Sequence, residues 1–120
     1  MVIAAAEDWR KPILNYLEKG IIPEDSMEAK QMARTILMYT VVDDQLYRKG
    51  LHSPMMRCLN PAEAEYVLSE IHEGINGQHM GAKALAQKAL RAGYYWPTMV
   101  ADSKEHNRKC KNCQKHARII

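Results

Sequence analysis

Apolar side chains recur at helical spacing twice within the first third of the chain. The first stretch places four of them on one stripe: Trp9, Ile13, Tyr16 and Leu17. Asp8 is the expected N-cap of this helix, and Gly20 is expected to end it. A second helix is predicted to begin near residues 23–26, and one of its faces carries Ala29, Met32, Ala33 and Ile36.

The pattern changes after the second predicted helix. The segment YTVVDDQLYRKG contains two short runs of β-branched and aromatic residues on either side of Asp43 and Asp44. Such runs around a short polar turn predict a β-hairpin. The later segment MMRCL is a candidate for a third strand. Residues 1–59 are therefore predicted to form an N-terminal extension of two helices and a hairpin or three-stranded sheet.

A strong helix-start signal opens the rest of the chain. Asn60 is a suitable N-cap, Pro61 suits the first helical position, and Glu63 stands three residues after the cap. The apolar face of this helix carries Ala64, Val67, Leu68 and Ile71. His72, four residues after Leu68, continues that face and is expected to point towards the core.

Two more helices are predicted before the C-terminal cysteines. In GAKALAQKALRAG the buried stripe contains Ala82, Leu85, Ala86, Ala89 and Leu90. Its opposite side carries Lys83, Gln87, Lys88 and Arg91, and Gly93 is expected to end the helix. After YYWPTM, Pro97 is expected to begin a helix that runs to Cys110. The fold class is thus mainly α with a small β element, and residues 60–120 form a three- to four-helix bundle.

Length and composition predict a thin core. The chain has 120 residues, which suits one domain with a small accessory layer, and it contains eight Met, two Trp and no Phe. An additional crosslink would help so small a core. We expect no export signal and no membrane span, since no apolar run approaches roughly 18 residues. An odd number of cysteines, three, favours reduced thiols in an intracellular compartment.

The positive charge is concentrated near the C-terminal cysteines. Residues 81–120 hold nine Lys or Arg against two acidic residues, a net +7, while the rest of the chain is −4. Such a concentration suits a polyanionic partner. A solvated basic surface that keeps the protein soluble would give the same count, so charge alone leaves both interpretations open.

Four side chains have the chemistry and the spacing of a zinc site. His72 and His79 are separated by six residues, and Cys110 and Cys113 by two, with thirty residues between the pairs. Structural zinc is held by four Cys or His ligands in a tetrahedron. Thirty residues are enough for one helix to leave the site and another to return. We therefore predict one structural zinc ion per chain, held at the ends of three helices.

Other His and Cys residues compete with this ligand set. The segment HNRKCKNCQKH contains His106 and His116 and could in principle hold an ion alone. That arrangement would require one short segment to surround the whole tetrahedron, and it would leave His72 buried without a role. For Cys58 and His52 we expect a buried thiol and a surface imidazole.

The chain contains the order His-x6-His-x30-Cys-x2-Cys, together with the segments IHEG and GYYWPTM. In these features it resembles the N-terminal zinc-binding domain of integrases from gypsy-type LTR retrotransposons and retroviruses. YTVVDDQLYRKG is similar to the segment that precedes this domain in those polyproteins. The resemblance implies an HHCC module that folds around zinc, supports integrase multimerisation and contacts the DNA ends of the element. It places the ligands at His72, His79, Cys110 and Cys113, and it implies a nuclear location with a virus-like particle stage in the cytoplasm.

The resemblance does not bring catalysis to this chain. Strand transfer in integrases uses a separate core with three carboxylates, and the seven residues after Cys113 contain no acid. A zinc hydrolase would keep an open coordination position, which four ligands would fill. A thiol redox protein would leave the His pair unexplained. We expect a non-catalytic module without a small-molecule substrate; the rival hypothesis is a stand-alone or domesticated zinc module that binds a protein partner without DNA.

Candidate contacts to double-stranded DNA come from the basic segment. They are Lys83, Lys88, Arg91, Lys104, Arg108, Lys109, Lys111 and Lys115. Lys and Arg contacts to phosphate give affinity with little choice of sequence. Tyr94, Tyr95 and Trp96 could stack on bases, but aromatics beside a zinc knuckle in a chain without Phe are more often part of the core.

Overall fold

The computed structural model describes residues 8–50, 55–73 and 81–110. These residues form five α-helices: α1 (Arg10–Lys19), α2 (Ser26–Thr35), α3 (Pro61–His72), α4 (Ala82–Arg91) and α5 (Met99–Lys109). They also form four strands: β1 (Tyr39–Val42), β2 (Gln45–Arg48), β3 (Met56–Cys58) and β4 (Tyr94–Tyr95). A 3-10 turn, Ile36–Met38, joins α2 to β1. The predicted class, mainly α with a small β element, is confirmed.

The two N-terminal helices begin close to the predicted positions. The cap of α1 is Trp9, so the prediction of Asp8 was one residue early. The Asp8 carboxylate instead accepts hydrogen bonds from the backbone and the guanidinium of Arg10. Gly20 ends α1 in the left-handed conformation, as predicted, with φ at 72°. Asp25 caps α2 by accepting a hydrogen bond from the backbone of Met27.

The sheet has one more strand than the sequence predicts. Strands β1 and β2 form the predicted hairpin, and its turn residues Asp43 and Asp44 both have positive φ, as a type I′ turn requires. Strand β3 pairs antiparallel with β2. The fourth strand, β4, pairs in parallel with β3. The sequence predicts no strand in this aromatic segment, only a helix after it. Two aromatic residues are too short a run to show strand periodicity.

Helix α3 has the predicted start. The Asn60 side chain accepts a hydrogen bond from the backbone N–H of Glu63, and the Glu63 carboxylate accepts one from the backbone N–H of Asn60. This reciprocal pair is the capping box. Helix α5 begins at Met99 after the cap residue Thr98, so Pro97 precedes the helix and does not open it.

The core consists of two clusters of buried side chains. The larger one lies among the three C-terminal helices and contains Leu59, Ala64, Leu68, Leu85, Ala86, Ala89, Trp96 and Met99. The smaller one lies on the sheet and contains Tyr39, Leu46 and Cys58. Trp9 and Tyr95 pack against both. The proposed boundary between residues 59 and 60 stays a prediction, while strands from the two sides of it share one sheet.

The buried stripes predicted for α3 and α4 are confirmed at their centres, by Leu68 on the former and by Leu85, Ala86 and Ala89 on the latter. Helices α1 and α2 contain no fully buried residue. None of the helices described in the three ranges above is long and apolar enough to cross a membrane.

Candidate metal centre

His72 is the last residue of α3 and lies on its buried face. The capping box fixes where α3 begins, and three further turns of helix place His72 in line with Ala64 and Leu68. Its imidazole is 1% exposed. The sequence prediction that His72 points inwards is therefore confirmed. A buried imidazole at a helix end is well placed to act as a metal ligand, because the helix ends there and leaves room for ligands from other segments.

Cys110 meets His72 from the opposite helix. It follows Lys109, the last residue of α5, and is partly buried. Its Sγ lies 3.3 Å from Nε2 of His72, although the two residues are 38 positions apart in sequence. Two ligands of one tetrahedral zinc ion would lie about 3.6 Å apart, given Zn–N and Zn–S bonds of roughly 2.0–2.1 and 2.3 Å. This pair therefore fits two positions of a zinc site.

The other two predicted ligands, His79 and Cys113, lie outside the described residues. Within the described ranges, no group of three or more His, Cys, Asp or Glu side chains is arranged to hold a metal ion. The structure thus brings together one histidine and one cysteine of the predicted set. The complete four-ligand site stays a prediction.

His106 and Glu65 extend the polar contacts around His72. The ring centroids of His106 and His72 are 5.0 Å apart, with an edge-on angle of 75° between the planes. Nδ1 of His106 lies 3.1 Å from a carboxylate oxygen of Glu65 on α3. The sequence suggested His106 as a rival ligand but gave no sign of Glu65. Only the packing of α3 against α5 shows that the two meet.

Cys58 is separate from this centre. It ends β3 and is completely buried in the sheet cluster, as the sequence interpretation expected. Burial raises the pKa of its thiol to about 12, and the nearby Arg10 and Arg48 lower the pKa only in part. His52, the other residue considered with it, lies outside the described residues.

The predicted DNA contacts that the structure describes are all exposed. Lys83, Lys88 and Arg91 lie on α4, and Lys104, Arg108 and Lys109 lie on α5. Arg108 is 2.7 Å from Glu105, and it holds the pKa of that carboxyl below its usual range. Lys109 also approaches Glu105, at 3.9 Å. Lys111 and Lys115 lie outside the described ranges.

The aromatic segment before α5 belongs to the interior. Trp96 is 2% exposed, and its indole N–H donates a hydrogen bond of 2.8 Å to the Asp102 carboxylate. Tyr94 and Tyr95 are partly buried against the larger core cluster. These positions favour the core interpretation over base stacking.

Residues 59–118 match the family described as the integrase zinc binding domain. The chain belongs to this family. The matched region begins at the capping box of α3 and includes all four predicted ligands, of which His72 and Cys110 are in contact. The integrase zinc-binding domain is a non-catalytic module, and membership of this family supports an integrase-associated role for the chain. No curated protein matches the chain.

Proposed function

We propose that this chain is the zinc-binding module of a gypsy-type retrotransposon integrase, together with its upstream extension. One zinc ion would be held by His72, His79, Cys110 and Cys113. The observation that carries this proposal is the contact between His72 and Cys110, because it joins the ends of α3 and α5 through two groups that bind zinc well. The ion would supply a structural crosslink and no reaction chemistry.

Within the integrase, the module would contact the DNA ends of the element. Helix α4 supports this part of the proposal: it contains no acidic residue, and its core contacts come from Leu85, Ala86 and Ala89. Lys83, Lys88 and Arg91 remain exposed, and none of the three has a carboxylate within ion-pair distance in the described part of the chain. Such a face can approach phosphates without first breaking internal ion pairs.

The test is a salt titration of binding to a short DNA duplex, followed by fluorescence anisotropy. Isolated modules with four to six phosphate contacts should bind weakly and with little sequence preference. Their affinity should fall roughly a hundredfold or more between about 50 and 200 mM salt, because each contact contributes a slope of about −0.9. Replacing Lys83, Lys88 and Arg91 together by Gln should flatten the slope.

A matched control comes from the N-terminal extension. Replacing Lys11, Lys19 and Lys30 by Gln removes the same charge from exposed positions on α1 and α2. This variant should keep the wild-type slope. If the two triple variants behave alike, or if the zinc-loaded protein does not bind DNA at low salt, the basic face is merely solvated. A zinc module that binds a protein partner would then be the better account.

A further inference from the structure

A series of side-chain contacts crosses from one helix to the other beside the proposed zinc ligands. Glu65 and His72 lie on α3, two turns apart. His106 lies on α5, and Cys110 directly follows the end of that helix. The order of contact is Glu65 to His106, His106 to His72, and His72 to Cys110. The first and last contacts are 3.1 and 3.3 Å between atoms, and the middle one is 5.0 Å between ring centroids.

Burial of the side chains decreases from His72 through His106 to Glu65. His72 is 1% exposed, the side chain of His106 is 12% exposed, and that of Glu65 is 64% exposed. His106 packs against the His72 ring and is itself mostly buried. Its Nδ1 contacts Glu65 and its ring packs edge-on against His72, so His106 connects the Glu65 carboxylate to the buried imidazole.

The orientation of an imidazole ring about its last torsion is only weakly fixed by the side chain itself. A ring that must present one nitrogen to a metal ion is therefore held by its neighbours, and such neighbours commonly include a carboxylate. Here the neighbour is a second imidazole, packed edge-on against His72 and itself anchored by a carboxylate.

We propose that His106, anchored by Glu65, is a positioning residue that holds the His72 ring with Nε2 towards Cys110. This inference rests on the zinc site proposed above. It also assigns a role to the exposed contact between Glu65 on α3 and His106 on α5.

The experiment measures zinc affinity of the full chain by competition with a chromogenic chelator. His106→Ala should weaken zinc binding by about 10- to 100-fold, which is typical of the loss of a supporting residue. Glu65→Ala should weaken it less. Because Glu65 acts through His106, the double variant should bind zinc no more weakly than His106→Ala alone. Glu70→Ala, which removes an exposed carboxylate from the same helix, should leave the affinity unchanged.

A second readout separates positioning from general destabilisation. The visible absorption bands of Co2+ bound in place of zinc depend on ligand orientation; they should shift in His106→Ala and stay unchanged in Glu70→Ala. His106→Phe keeps an aromatic ring against His72 and should restore part of the affinity. Equal zinc affinity in wild type, His106→Ala and Glu65→Ala would overturn this inference alone, as would fully additive losses in the double variant. Absence of zinc binding by the wild type would overturn the proposed zinc site itself.

Discussion

The indole N–H of Trp9 donates a hydrogen bond of 2.7 Å to the backbone carbonyl of Leu59, fifty residues further along the chain. Leu59 is buried, and it stands between strand β3 and the capping box of α3. The Trp9 ring also packs near Tyr39 and Tyr95, with centroids 6.2 and 5.9 Å away. One side chain of the extension thus contacts both core clusters.

Replacing Trp9 by Phe should therefore destabilise the whole fold. The smaller ring keeps aromatic packing but leaves the Leu59 carbonyl without its donor, a loss of about 1–3 kcal/mol for a buried group. Urea denaturation of the zinc-loaded protein, followed by circular dichroism, measures the free energy of unfolding. Tyr66→Phe, at an exposed position of α3, is the control and should change it by less than about 0.5 kcal/mol. A Trp9→Phe variant as stable as the control would contradict this role.

The capping box at Asn60 should stabilise the helix that carries His72. Asn60→Ala removes the acceptor for the Glu63 backbone N–H, now at 2.7 Å, and should cost about 0.5–2 kcal/mol. Asn60→Asp replaces the amide oxygen with a carboxylate oxygen that can accept the same hydrogen bond at the positive end of the helix dipole, and should retain most of the stability. Thermal unfolding of both variants at saturating zinc checks this. An Ala variant as stable as the wild type would show that the cap does not matter.

The sequence predicted those parts of the fold that depend on local signals. Asn60 and Pro61 marked the start of α3, Gly20 marked the end of α1, and the Asp pair marked the hairpin. Strand β4 was missed because its pairing with β3 is set by tertiary contact between distant segments. The Trp9–Leu59 hydrogen bond has no sequence signature for the same reason.

Only those features of the candidate site that depend on residue chemistry and helical periodicity could be predicted from the sequence. The apolar spacing of α3 was enough to place His72 inwards, and the pattern of ligand residues suggested Cys110 as its partner. The contact between Glu65 and His106 could not be predicted, since Glu65 lies on an exposed part of α3 and resembles any other surface carboxylate. Which exposed side chain meets the neighbouring helix depends on the crossing geometry of α3 and α5.

Cys58 should be chemically silent while the protein is folded. Its thiol is buried, and burial raises its pKa to about 12, whereas the thiolate is the reactive form. Alkylation at pH 8 followed by mass mapping should leave Cys58 unmodified until denaturant is added. The folded state favours the neutral thiol of Cys58 over the thiolate. The stability that this thiol contributes is therefore complete below the ordinary thiol pKa of about 8.5 and is lost as pH rises towards 12. Rapid labelling of Cys58 in native protein would contradict its placement.

Self-association should come from the exposed apolar side chains of the N-terminal extension. Ile22, Met27 and Leu37 are 63%, 71% and 82% exposed. A contiguous exposed apolar patch is typical of contact sites between proteins, and we expect these side chains to supply one. Light scattering should give a mass that rises with protein concentration. In Leu37→Glu this rise in mass should begin at a higher protein concentration. A monomer mass over a wide concentration range in both proteins would count against association through this surface.

Removal of zinc should unfold the C-terminal helices. Structural zinc contributes an apparent ~10–16 kcal/mol in small domains, far more than a thin core can replace. Excess chelator should therefore reduce the helical signal in circular dichroism and lower the melting temperature. His79→Ala should have nearly the same effect as the chelator. Replacing His116 should matter much less, because it is not a predicted ligand, and His106→Ala should only weaken zinc binding, because His106 is a positioning residue.

Zinc K-edge X-ray absorption of the purified full chain, with the metal content of the same sample, tests the proposed site most directly. We expect one zinc per chain with two sulfur neighbours at about 2.3 Å and two nitrogen neighbours at about 2.0–2.1 Å. His79→Ala and Cys113→Ala should each abolish this spectrum. Absence of zinc, a different number of sulfur neighbours, or an unchanged spectrum in these two variants would contradict the set of His72, His79, Cys110 and Cys113.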